Sequence, residues 1–240
     1  MAKQHTAEDS RFTVPLYTLA EAGRAVGVPP STFASWAKGY SRRFPTRVVE
    51  GAAIVTAFPA EQGRPSVPFI GLAEGLVLAA VRRAKVPMQR VRPALDVLAR
   101  EIGLNHALAS KSLYTDGAEL LYDYATHAKD DAAKVVKELV VVRSRQRVFT
   151  DVVSDYLKRI DYGPDGYARL VRLPGFRRAD VVADADRSFG QPIFARGGAR
   201  VSDVLERFWA GDDIETVARE FGVPAADVED ALRAASARAA

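Results

Sequence analysis

The sequence predicts a mainly α protein with small β elements, an α+β chain with a helix-turn-helix pattern near each end. Three observations predict it. Apolar residues recur at helical spacing on both sides of Gly27 and again across the last forty residues. A stretch rich in proline and β-branched residues follows the first pattern. Charge is divided unevenly: residues 31–100 hold eleven basic and four acidic side chains, whereas residues 201–240 hold four basic and nine acidic.

The chain has 240 residues, enough for one large or two modest domains. Hydrophobic residues make up 48% and the formal net charge is +4, ordinary values for a globular protein. No run approaches the ~20 apolar residues of a membrane helix, and the polar first residues carry no secretory pattern. Cysteine is absent, which excludes disulfides and thiolate metal sites and fits a cytoplasmic location. His5, His106 and His127 are scattered and lack metal-helix spacing, so no cofactor or metal is expected.

Residues 1–13 read as a disordered tail. Thr18 and Glu21 then form a capping box, in which each side chain satisfies an amide at a helix start. Leu19, Ala22, Ala25 and Val26 supply the apolar face, and Gly27 ends the helix by accepting a left-handed backbone. Pro30 suits the first turn of a second helix. Phe33 and Trp36, three apart, face the core. Two short helices joined by a glycine turn make a helix-turn-helix.

Between residues 44 and 70, prolines alternate with β-favouring runs, and residues 53–58 and 67–70 read as short strands or a wing. Residues 71–83 are helical, with Leu72, Leu76, Ala79 and Ala80 on one face. A break at 85–87 precedes a helix bearing Val91, Leu95 and Leu98, with Pro93 inside it. Residues 116–127 read as helix, 139–142 as a buried strand and 146–160 as helix. A turn at 162–166 is followed by strands at 167–173 and 180–183. Val204, Leu205, Phe208 and Trp209, then Ile214, Val217, Ala218 and Phe221, then Val228, Ala231 and Leu232 mark three helices separated by Gly211 and Gly222. The polar residues 129–134 divide the chain into 14–130 and 131–240, with the three-helix unit at 200–238.

The second helix of the first motif offers Ser31, Thr32, Ser35 and Lys38, with Arg42 and Arg43 just beyond. Hydroxyls and cations are the groups that contact phosphates and base edges, so these six are the candidate DNA-binding residues. Arg82, Arg83, Lys85, Arg90 and Arg92 either grip phosphate or solvate a face. The C-terminal unit would turn Asp227, Glu229 and Asp230 toward a groove whose phosphates repel them, which favours dimerisation or protein binding there. Of the adjacent Phe208 and Trp209, one packs inside and Trp209 is a candidate partner anchor. The loop carrying Arg172, Phe176, Arg177 and Arg178 mixes cations with an aromatic ring and suits an acidic site on a partner. Carboxylates are numerous between residues 151 and 186, but they fall in turns and on helix surfaces and do not converge as a metal-dependent nuclease would require. No phosphate loop or nucleophile elbow is present, so no enzyme is expected.

The run Tyr17-Thr18-Leu19-Ala20-Glu21-Ala22, the turn Gly27-Val28-Pro29-Pro30-Ser31-Thr32 and Trp36 resemble MerR-like helix-turn-helix domains. Residues 68–74 and 90–95 resemble the continuation of that domain in one group of VapB-type antitoxins. Residues 188–194 and the three-helix unit resemble the C-terminal domain those antitoxins carry. The resemblance covers nearly the whole chain. It implies an antitoxin that silences a PIN-domain ribonuclease toxin, binds double-stranded operator DNA as a homodimer and represses the shared operon. The chain departs from that pattern at Pro29, where a capping residue is usual, and at Ala34 and Ser35, where relatives often carry arginine. Operator recognition would then lean on backbone contacts and the wing. The alternative reading is a stand-alone transcriptional regulator; a nuclease and a protein-interaction scaffold are more distant rivals.

Overall fold

A computed structural model describes residues 9–43, 48–85, 88–100, 103–115 and 158–236. It shows α1 (Ser10–Thr13), α2 (Leu19–Val26), α3 (Pro30–Lys38), β1 (Tyr40–Arg43), β2 (Val48–Gly51), α4 (Phe69–Arg83), α5 (Met88–Arg100) and α6 (Ser112–Thr115). Beyond residue 158 come β3 (Ile160–Tyr162), β4 (Ala168–Arg172), β5 (Val181–Asp184), β6 (Pro192–Phe194), α7 (Val201–Trp209), α8 (Ile214–Phe221) and α9 (Ala225–Ser236). The architecture is α+β, with a helix-turn-helix near the N-terminus.

Residues 9–13 belong to the folded structure, not to a disordered tail. Asp9 caps α1 by accepting from the Arg11 amide. Phe12 is buried, and the Arg11 guanidinium donates to Asp9 and Asp165. One buried ring and a fixed ion pair are enough to hold so short a segment.

The wing lies elsewhere than the composition suggested. β1 and β2 pair antiparallel from Tyr40↔Gly51 to Arg43↔Val48, before the proline-rich stretch begins to return toward the core. Residues 53–58 join no ladder. The amides of Ile54 and Val55 donate to the Trp36 carbonyl, and the Thr56 amide donates to the Glu74 carboxylate. Their hydrogen bonds are satisfied by a helix end and a side chain, so they form an extended strap. Val67 makes only an isolated bridge to Tyr17, and the segment expected as a strand at 67–70 instead enters α4.

Every residue of α4 from Phe69 to Val81 is buried. The sequence suggests one apolar face; the structure surrounds the helix on all sides, as a helix apolar all round requires. Two glycines permit this. A Cβ at Gly71 would meet the Thr56 carbonyl, and one at Gly75 would run into the Phe33 ring. Pro93 lies within α5 and removes one helical hydrogen bond there.

The C-terminal sheet is a meander, β3-β4-β5-β6, all antiparallel. Ile160, Val171, Ala183 and Ile193 are buried in it. Three helices follow, α7 to α9, with Asp213 capping α8 and Gly222 ending it in the left-handed conformation at φ 64°. One hydrophobic core connects Phe33, α4, Val171, Phe194, Val204 and Val228. The Tyr17 hydroxyl donates to the Gly190 carbonyl across it. Burial pushes that phenol far above the ordinary tyrosine range, and the nearby Glu21 adds to the shift, so Tyr17 stays a donor.

The helices expected at 116–127 and 146–160, the strand at 139–142 and the boundary at 129–134 fall outside the described residues, except that the last three residues expected as helix, 158–160, form a turn and the start of β3. Among the described residues no helix is long and apolar enough to cross a membrane.

Candidate nucleic-acid interface

The N-terminal motif is built as its sequence implies. The Thr18 hydroxyl accepts from the Glu21 amide at 3.2 Å, and the Glu21 carboxylate accepts from the Thr18 amide at 2.8 Å. Gly27 adopts φ 77°, which costs a glycine nothing and reverses the chain toward α3. Pro30 occupies the first turn of α3, and Pro29 provides no side-chain cap, the departure noted above. Phe33 is fully buried and Trp36 nearly so, their ring centroids 6.2 Å apart. These rings press α3 onto α2 and α4 and fix which face of α3 is outermost.

That outer face carries Ser31 and Lys38, both exposed, and the half-buried Thr32 and Ser35. The four do not offer equal chemistry. The Ser35 hydroxyl donates to the Ser31 carbonyl at 3.0 Å, one turn back. The Thr32 hydroxyl accepts from Arg82 Nη1 at 2.7 Å. Arg42 and Arg43 stand in β1, opposite Val49 and Val48, and Arg43 is exposed. Recognition helix and hairpin therefore place their cations next to one another in the chain, with only Gly39 to Ser41 between Lys38 and Arg42.

Two arginines that the linear sequence left ambiguous pack against the motif and its hairpin. Arg82 sits at the end of α4, fifty residues from Thr32, yet bonds to it; no local pattern could have shown this. Arg92, on α5, lies 5.2 Å over the Tyr40 ring of the hairpin. Its Nε and Nη1 are buried without a hydrogen-bond partner. Desolvation lowers its affinity for a proton, with Tyr40 and Asp96 opposing, and the guanidinium still remains charged at any physiological pH. It ties α5 to the hairpin, so it is a mount for the wing and not an exposed phosphate contact.

The candidate partner-binding residues are dispersed. Arg172 lies on β4 and forms a paired contact with Asp161 on β3, both at 3.0 Å, so its charge is already engaged. Phe176 is half-buried against the core. Arg177 and Arg178 are exposed, but their amides, with that of Ala179, all donate to Asp230 Oδ2 at 2.7, 2.8 and 3.1 Å. Asp230 is only 3% exposed. It therefore does not face outward from the third helix as expected: it turns inward because three main-chain donors on the loop need one acceptor. Burial opposes ionisation of Asp230; the three amides overcome that, helped by Arg233, and hold its carboxyl below the usual range. Phe208 is half-buried, whereas Trp209 is 64% exposed.

One residue that sequence reasoning passed over is Phe189. It is 81% exposed and, with Ser188, has positive φ, 54° and 48°. Two consecutive non-glycine residues in that region are strained, and no composition signal marks them. Three of the five carboxylates of residues 158–186 lie in separate ion pairs, Asp161 with Arg172, Asp165 with Arg11 and Asp186 with Arg169. Among the described residues no three histidine, aspartate or glutamate side chains come together to hold a metal ion.

Comparison with known proteins agrees with this geometry. Residues 15–95 match a family described as a "Putative DNA-binding HTH domain", and residues 181–234 match a family of unknown function, DUF433. The solved crystal structure of Rv2018 from Mycobacterium tuberculosis is 43% identical and covers 92% of this chain and 99% of its own, with a TM-score of 0.70. A protein of Mycobacterium tuberculosis strain H37Rv named "Putative antitoxin VapB45" is 47% identical over 232 residues, 95% of this chain and 96% of that one. With that identity over nearly the full length of both, this chain belongs to the VapB antitoxin family.

Proposed function

We propose that this chain is the antitoxin of a type II toxin–antitoxin pair, that it neutralises a PIN-domain ribonuclease, and that it represses its own operon by binding operator DNA as a homodimer. The observation that carries the DNA half is the helix-turn-helix, with Ser31 and Lys38 exposed on its second helix and the arginine-bearing hairpin directly after it in the chain. A two-fold dimer would set two such helices ~34 Å apart, one turn of DNA. In this reading residues 14–130 bind DNA and residues 131–240 dimerise and hold the toxin. The Arg177–Arg178 loop, its amides held by Asp230, carries two exposed cations suited to the acidic centre of a metal-dependent ribonuclease, and Trp209 supplies an exposed aromatic anchor.

Lys38→Ala and Arg43→Ala are expected to weaken binding to all DNA sequences alike. Each should flatten the slope of log affinity against log salt by about one unit. Titration of promoter DNA at several salt concentrations reads this directly; wild-type slopes in both variants would remove these residues from the interface. For the toxin, the chain is expressed with its genomic neighbour and only this protein is tagged. Recovery of an inactive ribonuclease is the expected result. Promoter binding without any such partner would identify a stand-alone regulator instead.

A further inference from the structure

Helix α4 is buried from Phe69 to Val81 and leaves the core at its last turn, where Arg82 and Arg83 stand exposed. The buried body of the helix fixes where these two side chains start. They diverge, because successive residues on a helix point about 100° apart. The Arg82 guanidinium reaches the start of α3 and donates from Nη1 to the Thr32 hydroxyl at 2.7 Å. Arg83 goes to the turn before it: its Nη2 lies 3.2 Å from the place a Cβ on Gly27 would take. The end of α4 thus straddles the helix-turn-helix, with one cation on the turn and one on the third residue of the second helix.

The bond between Arg82 and Thr32 leaves chemistry unused on both partners. Arg82 has no carboxylate partner among the described residues. A guanidinium carries five N–H donors and no acceptor, so most of its donors remain for another group. A hydroxyl whose oxygen accepts from a cation keeps its own proton to donate elsewhere. Ser35 differs, because its proton already goes to the Ser31 carbonyl. Arg82 and Thr32 therefore present only donors and positive charge, and the group that suits them is an anionic acceptor with more than one oxygen. A phosphate diester is such a group, and the guanidinium fork matches its geometry. Helix α3 itself holds no arginine, and its one cation, Lys38, is its last residue. Arg82 supplies a guanidinium at the opposite end, from a helix that the core holds in place.

We propose that Arg82 and Thr32 act as one unit on the DNA backbone, a single phosphate accepting from the guanidinium and from the Thr32 hydroxyl that Arg82 holds as a donor. The end of α4 is then a third contact element beside α3 and the hairpin. This inference rests on the DNA-binding reading above and adds to it a residue outside the two helices of the motif.

The test titrates a duplex carrying the chain's own promoter at salt concentrations from about 50 to 200 mM. It compares the full-length wild type with Arg82→Met, Arg82→Lys, Thr32→Val and the double variant Arg82→Met/Thr32→Val, each checked for fold by circular dichroism. Arg82→Met keeps an unbranched apolar stem and removes the charge. It is expected to bind about fivefold to tenfold more weakly and to flatten the slope of log affinity against log salt by about one unit. Arg82→Lys keeps the charge and should restore the slope. A brace that merely steadied α3 would lower affinity and leave the slope alone. Thr32→Val should cost about threefold with the slope unchanged, since no charge is lost. Adding Arg82→Met to Thr32→Val should cost less than Arg82→Met costs by itself, because the two contacts share one phosphate. A wild-type slope in Arg82→Met, or a slope as flat in Arg82→Lys as in Arg82→Met, overturns the phosphate contact. Losses that simply add overturn the shared unit. A wild-type chain that does not bind the promoter at all removes the DNA-binding reading and this contact with it, whereas wild-type binding with an unchanged Arg82→Met removes this contact alone.

Discussion

Asp230→Ala is expected to destabilise the chain by about 3 kcal/mol and lower its melting temperature by roughly 6–12 °C. The carboxylate is buried, and three amides of residues 177–179 donate to one of its oxygens. Removing it leaves the buried Ala179 amide and two part-buried amides without an acceptor, and the cost of an unmet buried donor exceeds the value of the bond itself. Asp230→Asn keeps an acceptor but not the charge, so its loss should be smaller. The pH dependence is the sharper reading. Because the folded carboxyl lies below the usual range, its contribution is complete above about pH 5, where an unfolded aspartate is already ionised, and is lost as pH falls through the folded value. In Asp230→Asn the acid limb of the stability curve should therefore be shallower than in the wild type. Denaturant melts between pH 3 and 7 give both quantities. Superimposed wild-type and Asp230→Asn curves would show that the three amides are served by something other than this charge. The same variants should loosen the Arg177–Arg178 loop and, on the proposed function, weaken toxin binding more than DNA binding.

Phe33→Ala is expected to cost about 3–5 kcal/mol, the range for deleting a fully buried aromatic ring. The ring seats α3 on α4 at the place where Gly75 leaves room for it. This makes a paired test possible. Gly75→Ala alone puts a methyl group into the ring and should cost about 1–3 kcal/mol through overpacking. In the Phe33→Ala background the same methyl group meets no ring, so most of its cost should vanish. A double-mutant cycle by chemical denaturation measures the coupling; additive losses would mean that the two positions do not share the space. DNA affinity should fall in Phe33→Ala even at temperatures where circular dichroism shows a folded chain, because Phe33 is the largest fully buried side chain seating α3 from beneath.

The residues that declare themselves in the sequence are those whose partners are close in the chain. Thr18 and Glu21 cap a helix three residues apart, and Gly27 turns the chain where its neighbours are helical. Phe33 and Trp36 share a face because a helix turns every 3.6 residues. Val204, Val217 and Val228 mark the three C-terminal helices for the same reason. The strands at β4 and β5 follow from β-favouring residues after the turn that precedes them. Tertiary structure decided what depends on distant partners. Arg82 finds Thr32 across fifty residues, Asp230 finds the amides of residues 177–179, and Glu74 finds Thr56 and His106. The strap at 53–56 looks like a strand until its amides find Trp36 and Glu74. Helix α4 looks amphipathic until Gly71 and Gly75 admit neighbours on the remaining sides. Periodicity and caps are local properties of the chain, whereas the satisfaction of a buried polar group is settled only by the acceptor or donor that folding brings to it.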